Sequence, residues 1–248
     1  MKIIVTENYE EMSWHAAGLL MSSHYGSRSR VNIAVTSGET PKRMYEMIAP
    51  HLAGQKEAFR HVHYYSFDEV PVRGEAYGIT MTALQSLFFA PADIPGERIH
   101  PLPAEQYQEC DERIRKAGGL DMIMMGLGAD GHFCGVLPGT ISSFDNETYY
   151  IPLKELPAVE KRVGRHFISC PEKMPDHYIS FGPKSVMAAR HLVVIVSGGE
   201  KAEALSRMLF APITPELPAS VFQLHPNLTV VADQAAVASC KDKIGPYL

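Results

Sequence analysis

Four short stretches of this sequence gather groups that hold anions or move protons. Thr36-Ser37-Gly38-Glu39-Thr40-Pro41 sets hydroxyls and a glycine just ahead of a helix start. Free N–H groups and the positive end of a helix dipole at such a turn suit a phosphate, and the same residue types also serve as plain caps. No Gly-Lys-Ser/Thr is present there, so this is not a nucleotide P-loop. Asp68-Glu69 places two carboxylates in succession at the end of a strand. Successive strand residues face opposite ways, so one can meet a ligand as a base while the other is structural. In Gly126-Leu127-Gly128-Ala129-Asp130-Gly131-His132 a carboxylate precedes an imidazole by two residues within a glycine-rich turn. Gly128 and Gly131 let the backbone approach a ligand closely, His132 can move protons near neutral pH, and Asp130 can fix its tautomer. Ser197-Gly198-Gly199-Glu200-Lys201 puts a lysine in the first turn of a helix, against the dipole. Either an anionic ligand or plain solvent exposure accounts for it.

The glycine-rich turn also matches G-x-G-x-x-G. A dinucleotide site needs a full helix opening at the third glycine, and Gly135 and Pro138-Gly139 would interrupt a helix there. The turn therefore reads as a catalytic loop, and no cofactor is expected. His61 and His63 alternate as metal ligands on a strand would, but no carboxylate or cysteine nearby completes a set, so no metal is expected.

These stretches require a scaffold that brings strand ends together. Short apolar runs alternate with helical patterns: Lys2 to Val5, Val31 to Val35, Val62 to Phe67, Leu120 to Met125, Tyr178 to Phe181, Leu192 to Val196 and Leu228 to Val231 read as strands. Helices are predicted after Asn8, after Pro41, over Ile79 to Phe89, over Glu105 to Lys116 and over Glu200 to Leu209. The pattern implies an α/β, Rossmann-like open sheet, mostly parallel, with helices on both faces. In such a sheet ligands bind beyond the carboxyl ends of the strands, where all four stretches lie. The region from Pro138 to Pro175 has few periodic signals and reads as a lid or an insertion. With no internal repeat or linker, residues 1–248 read as a single domain.

At 248 residues and 46% hydrophobic content the chain can bury a large core. A net charge of −5 argues against a nucleic-acid partner, whereas a phosphorylated metabolite needs only a local cluster of cations. The apolar start Met1 to Val5 is too short for a signal core or a membrane span. Four scattered cysteines read as reduced thiols, so a cytoplasmic protein with no membrane partner is expected.

Together these segments resemble the glucosamine-6-phosphate deaminase and 6-phosphogluconolactonase superfamily, from Met1 to about Asp233. Thr36 to Pro41 looks like the family's S/T-G-G-T/S-T-P phosphate loop, Phe67-Asp68-Glu69 like the deaminases' M-D-E, and Gly128 to His132 like their G-x-D/N-G-H. Pro218-Ala219-Ser220-Val221-Phe222-Gln223-Leu224-His225 resembles their I-S-x-L-Q-L-H tail. The resemblance implies that Asp68 shuttles a proton between C1 and C2 of an open-chain sugar, with Glu69 in support. It implies that His132, oriented by Asp130, opens the ring, and that Thr36, Ser37, Gly38, Thr40 and Lys201 hold the 6-phosphate. Counting back from Met174-Pro175 puts the deaminases' phosphate arginine at Arg165. The implied partner is a hexose or hexosamine 6-phosphate; a homo-oligomer is compatible with the sequence, which does not fix it.

One departure separates the chain from the deaminases. Their G-H leads to F-N-E-P, whose glutamate assists the histidine, and here Leu137 stands in its place. The local spacing looks instead like the lactonases' D-G-H-T-A-S-L-F-P-G-T, which would make His132 a base that activates water on a lactone carbonyl. Against that, lactonases usually carry an arginine after D-E, where this chain has Val70, and their tails lack Gln-Leu-His. A third reading, a non-catalytic sugar-phosphate sensor, does not require Asp68, Asp130 and His132 together.

Overall fold

The computed structural model describes residues 1–25 and 28–248. In chain order the strands are β1 (Lys2–Thr6), β2 (Val31–Val35), β3 (Val62–Tyr65), β4 (Asp68–Glu69), β5 (Ile99–His100), β6 (Met122–Gly126), β7 (Tyr149–Pro152), β8 (His177–Ser180), β9 (Leu192–Val196) and β10 (Leu228–Asp233). The α-helices are α1 (Tyr9–His24), α2 (Lys42–Leu52), α3 (Ile79–Leu84), α4 (Cys110–Lys116), α5 (Pro157–Gly164), α6 (Pro183–Met187) and α7 (Ala202–Phe210).

Seven strands form one sheet in the order β1-β10-β9-β6-β2-β3-β5, and every pair in it is parallel. Its central strands are continuous apolar runs because both faces are covered. Ile33 and Val35 of β2, Met122 and Met124 of β6 and Val193 and Ile195 of β9 pack with α1, α2 and α3. Ala34, Ile123, Met125, Val194 and Val196 pack on the other face with α4, α6 and α7. The architecture is the α/β layer arrangement that the alternation of runs and helices implies. In α1, Asn8 caps the first turn by accepting from the Glu11 N–H at 3.0 Å, and Met12, Ala16 and Leu20 are buried at helical spacing. Each large side chain so buried contributes about 1.5–3 kcal/mol. Asp121, an odd residue beside a buried strand, accepts the Asn32 N–H at 2.9 Å and pairs with Arg190 at 3.1 Å.

Three expectations need correction. Tyr178 to Phe181 does not join the parallel sheet: β8 is the middle of a separate three-stranded antiparallel sheet, β4-β8-β7. Asp68-Glu69 is not the tail of β3, which ends at Tyr65, but forms β4 and crosses to that second sheet. The region from Pro138 to Pro175 is regular rather than a loose insertion. It supplies β7, α5 and short 3₁₀ turns, and Leu137, Ile151, Leu153, Val159, Val163, Phe167 and Tyr178 form an apolar cluster of their own. Its elements are too short to show periodicity. The predicted helices also begin and end differently: α3 passes into a π turn at Gln85–Phe89, and a 3₁₀ turn precedes α4.

From β2 the chain steps to β3 and β5 on one side, then returns to β6, β9 and β10 on the other. The carboxyl ends of β2 and β6 thus flank the point where the winding reverses, which is where open α/β sheets place their ligands.

Candidate active site

The turn after β2 is held from behind. Tyr45 on α2 donates its hydroxyl to the Thr36 carbonyl at 2.6 Å, and Tyr9 on α1 donates to the Glu39 carbonyl at 2.9 Å. Gly38 has φ +102°, a conformation only glycine adopts without strain. The turn after β9 is held by Asp233 at the end of β10, which accepts from the Ser197 hydroxyl and the Gly198 N–H. These two turns meet: Lys201 Nζ donates to Thr40 Oγ1 at 3.0 Å. Burial pulls the Lys201 ammonium below its usual proton affinity, opposed by Glu200 and Asp233. Thr36, Ser37, Gly38, Thr40 and Lys201 therefore line one lobe of a cleft of about 340 Å³, with hydroxyls, a glycine backbone and an ammonium facing it.

Asp68 sits at the junction of this lobe with a second one. Burial pushes its carboxyl up to about 6, although the Thr80 hydroxyl donates to it at 2.9 Å and His132 acts in the opposite sense to burial. Glu69 turns away. Its carboxylate accepts the N–H groups of Thr80 at 2.8 Å and Met81 at 3.0 Å, which caps α3. Burial pushes Glu69 up to about 7 despite those bonds. The opposite-face reading of the pair describes their positions well: one carboxylate lines the cleft and the other anchors a helix.

After β6 no helix forms, which disposes of a dinucleotide fold at the G-x-G-x-x-G match. The chain makes a tight turn in which the Gly128 N–H donates to the His132 carbonyl at 2.9 Å. Asp130 Oδ1 bonds His132 Nδ1 at 2.5 Å, leaving Nε2 of the imidazole to face Arg162. Burial would raise the Asp130 carboxyl, but the hydrogen bond and charge of His132, with Arg162 behind, hold it well below the usual carboxylate range. A side-chain carbon at Gly128 would strike the His132 ring, and one at Gly131, where φ is +82°, would strike Leu217. The tail from Pro218 to Leu224 packs under this turn: Ala219 N–H donates to the Gly131 carbonyl at 3.1 Å, and the rings of Phe133 and Phe222 lie 4.6 Å apart.

The second lobe is lined by Asp68, Val70, Thr80, His132, Leu137, Val163, His166 and Tyr178, with Arg162 shared between both lobes. Arg165 is exposed and lines neither. It follows α5 in a 3₁₀ turn, and the arginine that faces the cleft is Arg162, nearly one turn earlier on α5. Arg162 donates to Asp130 Oδ2 at 2.9 Å, and its Nη2 lies 3.2 Å from His132 Nε2. Sequence reasoning missed Arg162 because Lys161-Arg162 reads as a solvated helix face; only the docking of α5 on the cleft gives it a partner. Cys134 also lines both lobes, and burial raises its thiol far above the usual range. Among the described residues no cluster of three or more histidine, cysteine or acidic side chains is arranged to hold a metal, and no helix is long and apolar enough to cross a membrane.

The family model for glucosamine-6-phosphate isomerases/6-phosphogluconolactonase matches residues 15–231. The chain belongs to that family. A glucosamine-6-phosphate deaminase of Shouchella clausii (strain KSM-K16) is 31% identical over 245 residues, covering 96% of this chain and 97% of that protein. One of Clostridium botulinum (strain Okra / Type B1) is 30% identical over 257 residues, 98% of this chain and all of the other. Among solved structures, a monomeric glucosamine-6-phosphate deaminase superposes with a TM-score of 0.80 at 22% identity, over 96% of this chain and 100% of that one. The 6-phosphogluconolactonase of Trypanosoma cruzi gives 0.73 at 19% identity, over 97% of each. Both branches of the family thus share this fold along nearly the whole chain.

Proposed function

We propose that this chain is a deaminase/isomerase of hexosamine 6-phosphates, acting at C1–C2 through an enediol-type intermediate, the enolamine while nitrogen is still on C2. The observation that carries the reading is Asp68: a carboxylate at the junction of the two lobes, pushed up to about 6, opposite the Asp130–His132 pair. A base poised near the working pH is suited to taking a proton from carbon. Thr36, Ser37, Gly38, Thr40 and Lys201 hold the 6-phosphate, and that remote binding energy fixes C1 and C2 against Asp68. His132, oriented by Asp130, exchanges the proton at the ring oxygen when the pyranose opens. Asp68 removes the C2 proton and returns it to C1. Water then replaces the nitrogen at C2, and the products are the ketose 6-phosphate and ammonia.

Leu137 favours a second reading. The lobe that would hold C1 carries leucine, two valines and Arg162 where the deaminases have a glutamate. With no acid to assist it, His132 would serve as the base that activates water on a 6-phosphogluconolactone, and the reaction would be hydrolysis.

The test is to incubate purified protein with glucosamine 6-phosphate and follow ammonia and fructose 6-phosphate together. Stoichiometric release of both supports the deaminase. No release, with acid produced from 6-phosphogluconolactone in a pH-stat, overturns it in favour of the hydrolase.

A further inference from the structure

A second cavity, with basic side chains set among prolines and isoleucines, lies away from the catalytic cleft, at the edge of the large sheet where β3 meets β5. It measures about 430 Å³ and is lined by Arg30, Tyr65, His100, Pro101, Cys110 and Arg113, among others, with no carboxylate in its wall. Arg30 reaches along the sheet face from the start of β2, donating to Asn32 Oδ1 at 2.9 Å, to the Tyr65 hydroxyl at 3.1 Å and to His100 Nε2 at 3.3 Å. His63 Nδ1 lies 3.0 Å from the same His100 nitrogen, and the His100 ring stacks on Tyr65 with centroids 4.5 Å apart. Arg113 comes from α4 on the other side, and its guanidinium makes a long contact of 3.5 Å with the Gln106 carbonyl. Among the described residues neither Arg30 nor Arg113 has a carboxylate within ion-pair distance.

The arrangement concentrates positive charge without an internal counter-ion. Several arginines elsewhere are paired with carboxylates, Arg190 and Arg28 with Asp121, Arg43 with Glu10 and Arg162 with Asp130, whereas the buried Arg98 next to this cavity has, like Arg30 and Arg113, no such partner among the described residues. Here the imbalance shows on the imidazoles. Burial, then Arg30, His100 and Arg98, hold His63 down to about 4, with only Glu97 acting the other way. Burial, then Arg30 and Arg113, hold His100 down as well. Guanidinium groups on two walls, the His100 imidazole backed by His63, and a phenol hydroxyl between them match the oxygens of a phosphate.

We propose that this cavity is a second anion site, taking a compact phosphate dianion, free or carried on a small metabolite. It is separate from the catalytic cleft and does not depend on which reaction that cleft performs. It is also placed to communicate with it. Tyr65 closes β3, and Asp68 lies three residues on, while Ser66 links the two ends by accepting the Leu102 N–H and donating its own N–H to the His100 carbonyl.

The test tracks the imidazole resonances of His63 and His100 by NMR while inorganic phosphate, or in a parallel series glucose 6-phosphate, is titrated in. The Lys201→Met background cuts phosphate binding in the catalytic cleft. Saturable shifts of both histidines are expected there, with both rings titrating at higher pH when phosphate is present. The groups that face these rings, Arg30, Arg98, Arg113, Glu97, Tyr65 and Cys110, are unchanged in that background. Arg113→Met, at an exposed position, should weaken this binding about tenfold, the loss of one charge-assisted hydrogen bond. Arg30→Met should do the same. Resonances that stay still at high phosphate, or that shift equally in Arg113→Met, overturn the site. Tighter binding of glucose 6-phosphate than of phosphate would name a sugar phosphate as the occupant, and the reverse would name free phosphate.

Discussion

Lys201 and Thr40, 161 residues apart, meet at 3.0 Å, so the turns after β9 and β2 close over the end of β6. That contact lets one ammonium and one hydroxyl address the same anion. Lys201→Ala should therefore raise KM for a 6-phosphate substrate by about two orders of magnitude, the scale of a lost charged contact, while leaving kcat less affected. Steady-state kinetics with inorganic phosphate as competitor measure both; an unchanged phosphate inhibition constant would remove the lobe from the phosphate site.

As the base of the proposed reaction, Asp68 would set the acid side of the pH profile. A base must be ionised to act, and this one is pushed up to about 6, so kcat/KM should rise with pH through that region. Thr80 donates its hydroxyl to the charged form and so holds the carboxyl down. Thr80→Val should move the acid limb to higher pH, and Asp68→Asn should abolish solvent isotope exchange at C2 with phosphate affinity retained. Stability runs the opposite way. The fold keeps the Asp68 proton over a range where the unfolded chain, with an ordinary value of 3.8, has lost it, so this group favours the fold less as pH rises from there to about 6.

Arg162 and Arg165 separate by experiment. Arg162 contacts both members of the Asp130–His132 pair, whereas Arg165 lies on the surface outside the cleft. Arg162→Ala should lower kcat/KM about tenfold or more, as expected for a charged hydrogen bond in the site, and Arg165→Ala should change it by less than about twofold. The opposite ranking would show that the 165–167 turn moves onto the ligand.

Leu137→Glu restores the acid that the deaminases carry. If ring opening limits turnover, ammonia release from glucosamine 6-phosphate should increase about tenfold or more, within the range that one acid–base group supplies. A variant that folds normally by circular dichroism and releases ammonia no faster would show that Leu137 is not the bottleneck.

Gly131→Ala should cost about 1–3 kcal/mol, because φ is +82° and a methyl group meets Leu217. Urea denaturation measures it. Activity should fall further than stability, since the same turn carries His132.

The parts of this molecule that alternate strongly were open to sequence reading. Val31 to Val35 and Leu192 to Val196 are buried on both faces, and the turns after them are short, so strand, turn and anion-holding residues are adjacent in the chain. The second sheet was not legible. β4 is two residues long, and β7 and β8 acquire their pattern only from each other across a gap of more than twenty residues. The same holds for Arg162: its role depends on where α5 docks, and nothing in Lys161-Arg162 marks that. Arg165 misled because spacing from Met174-Pro175 measures sequence, not the direction in which a helical turn points.

The cleft lies between the large sheet and a smaller apolar cluster that β8 joins, with Ile179 in the core of the large sheet and Tyr178 in the small cluster. The turns after β2 and β9 hang from the large sheet, while Leu137, Val163 and Tyr178 belong to the small apolar cluster around the second. The Gly135 N–H to the Ser180 hydroxyl and the Tyr178 hydroxyl to the Gly135 carbonyl tie these walls together near His132, and the Arg162–Asp130 contact adds a surface pair that salt weakens. Salt should therefore loosen the Arg162 side of the cleft while its seven-stranded frame is still whole.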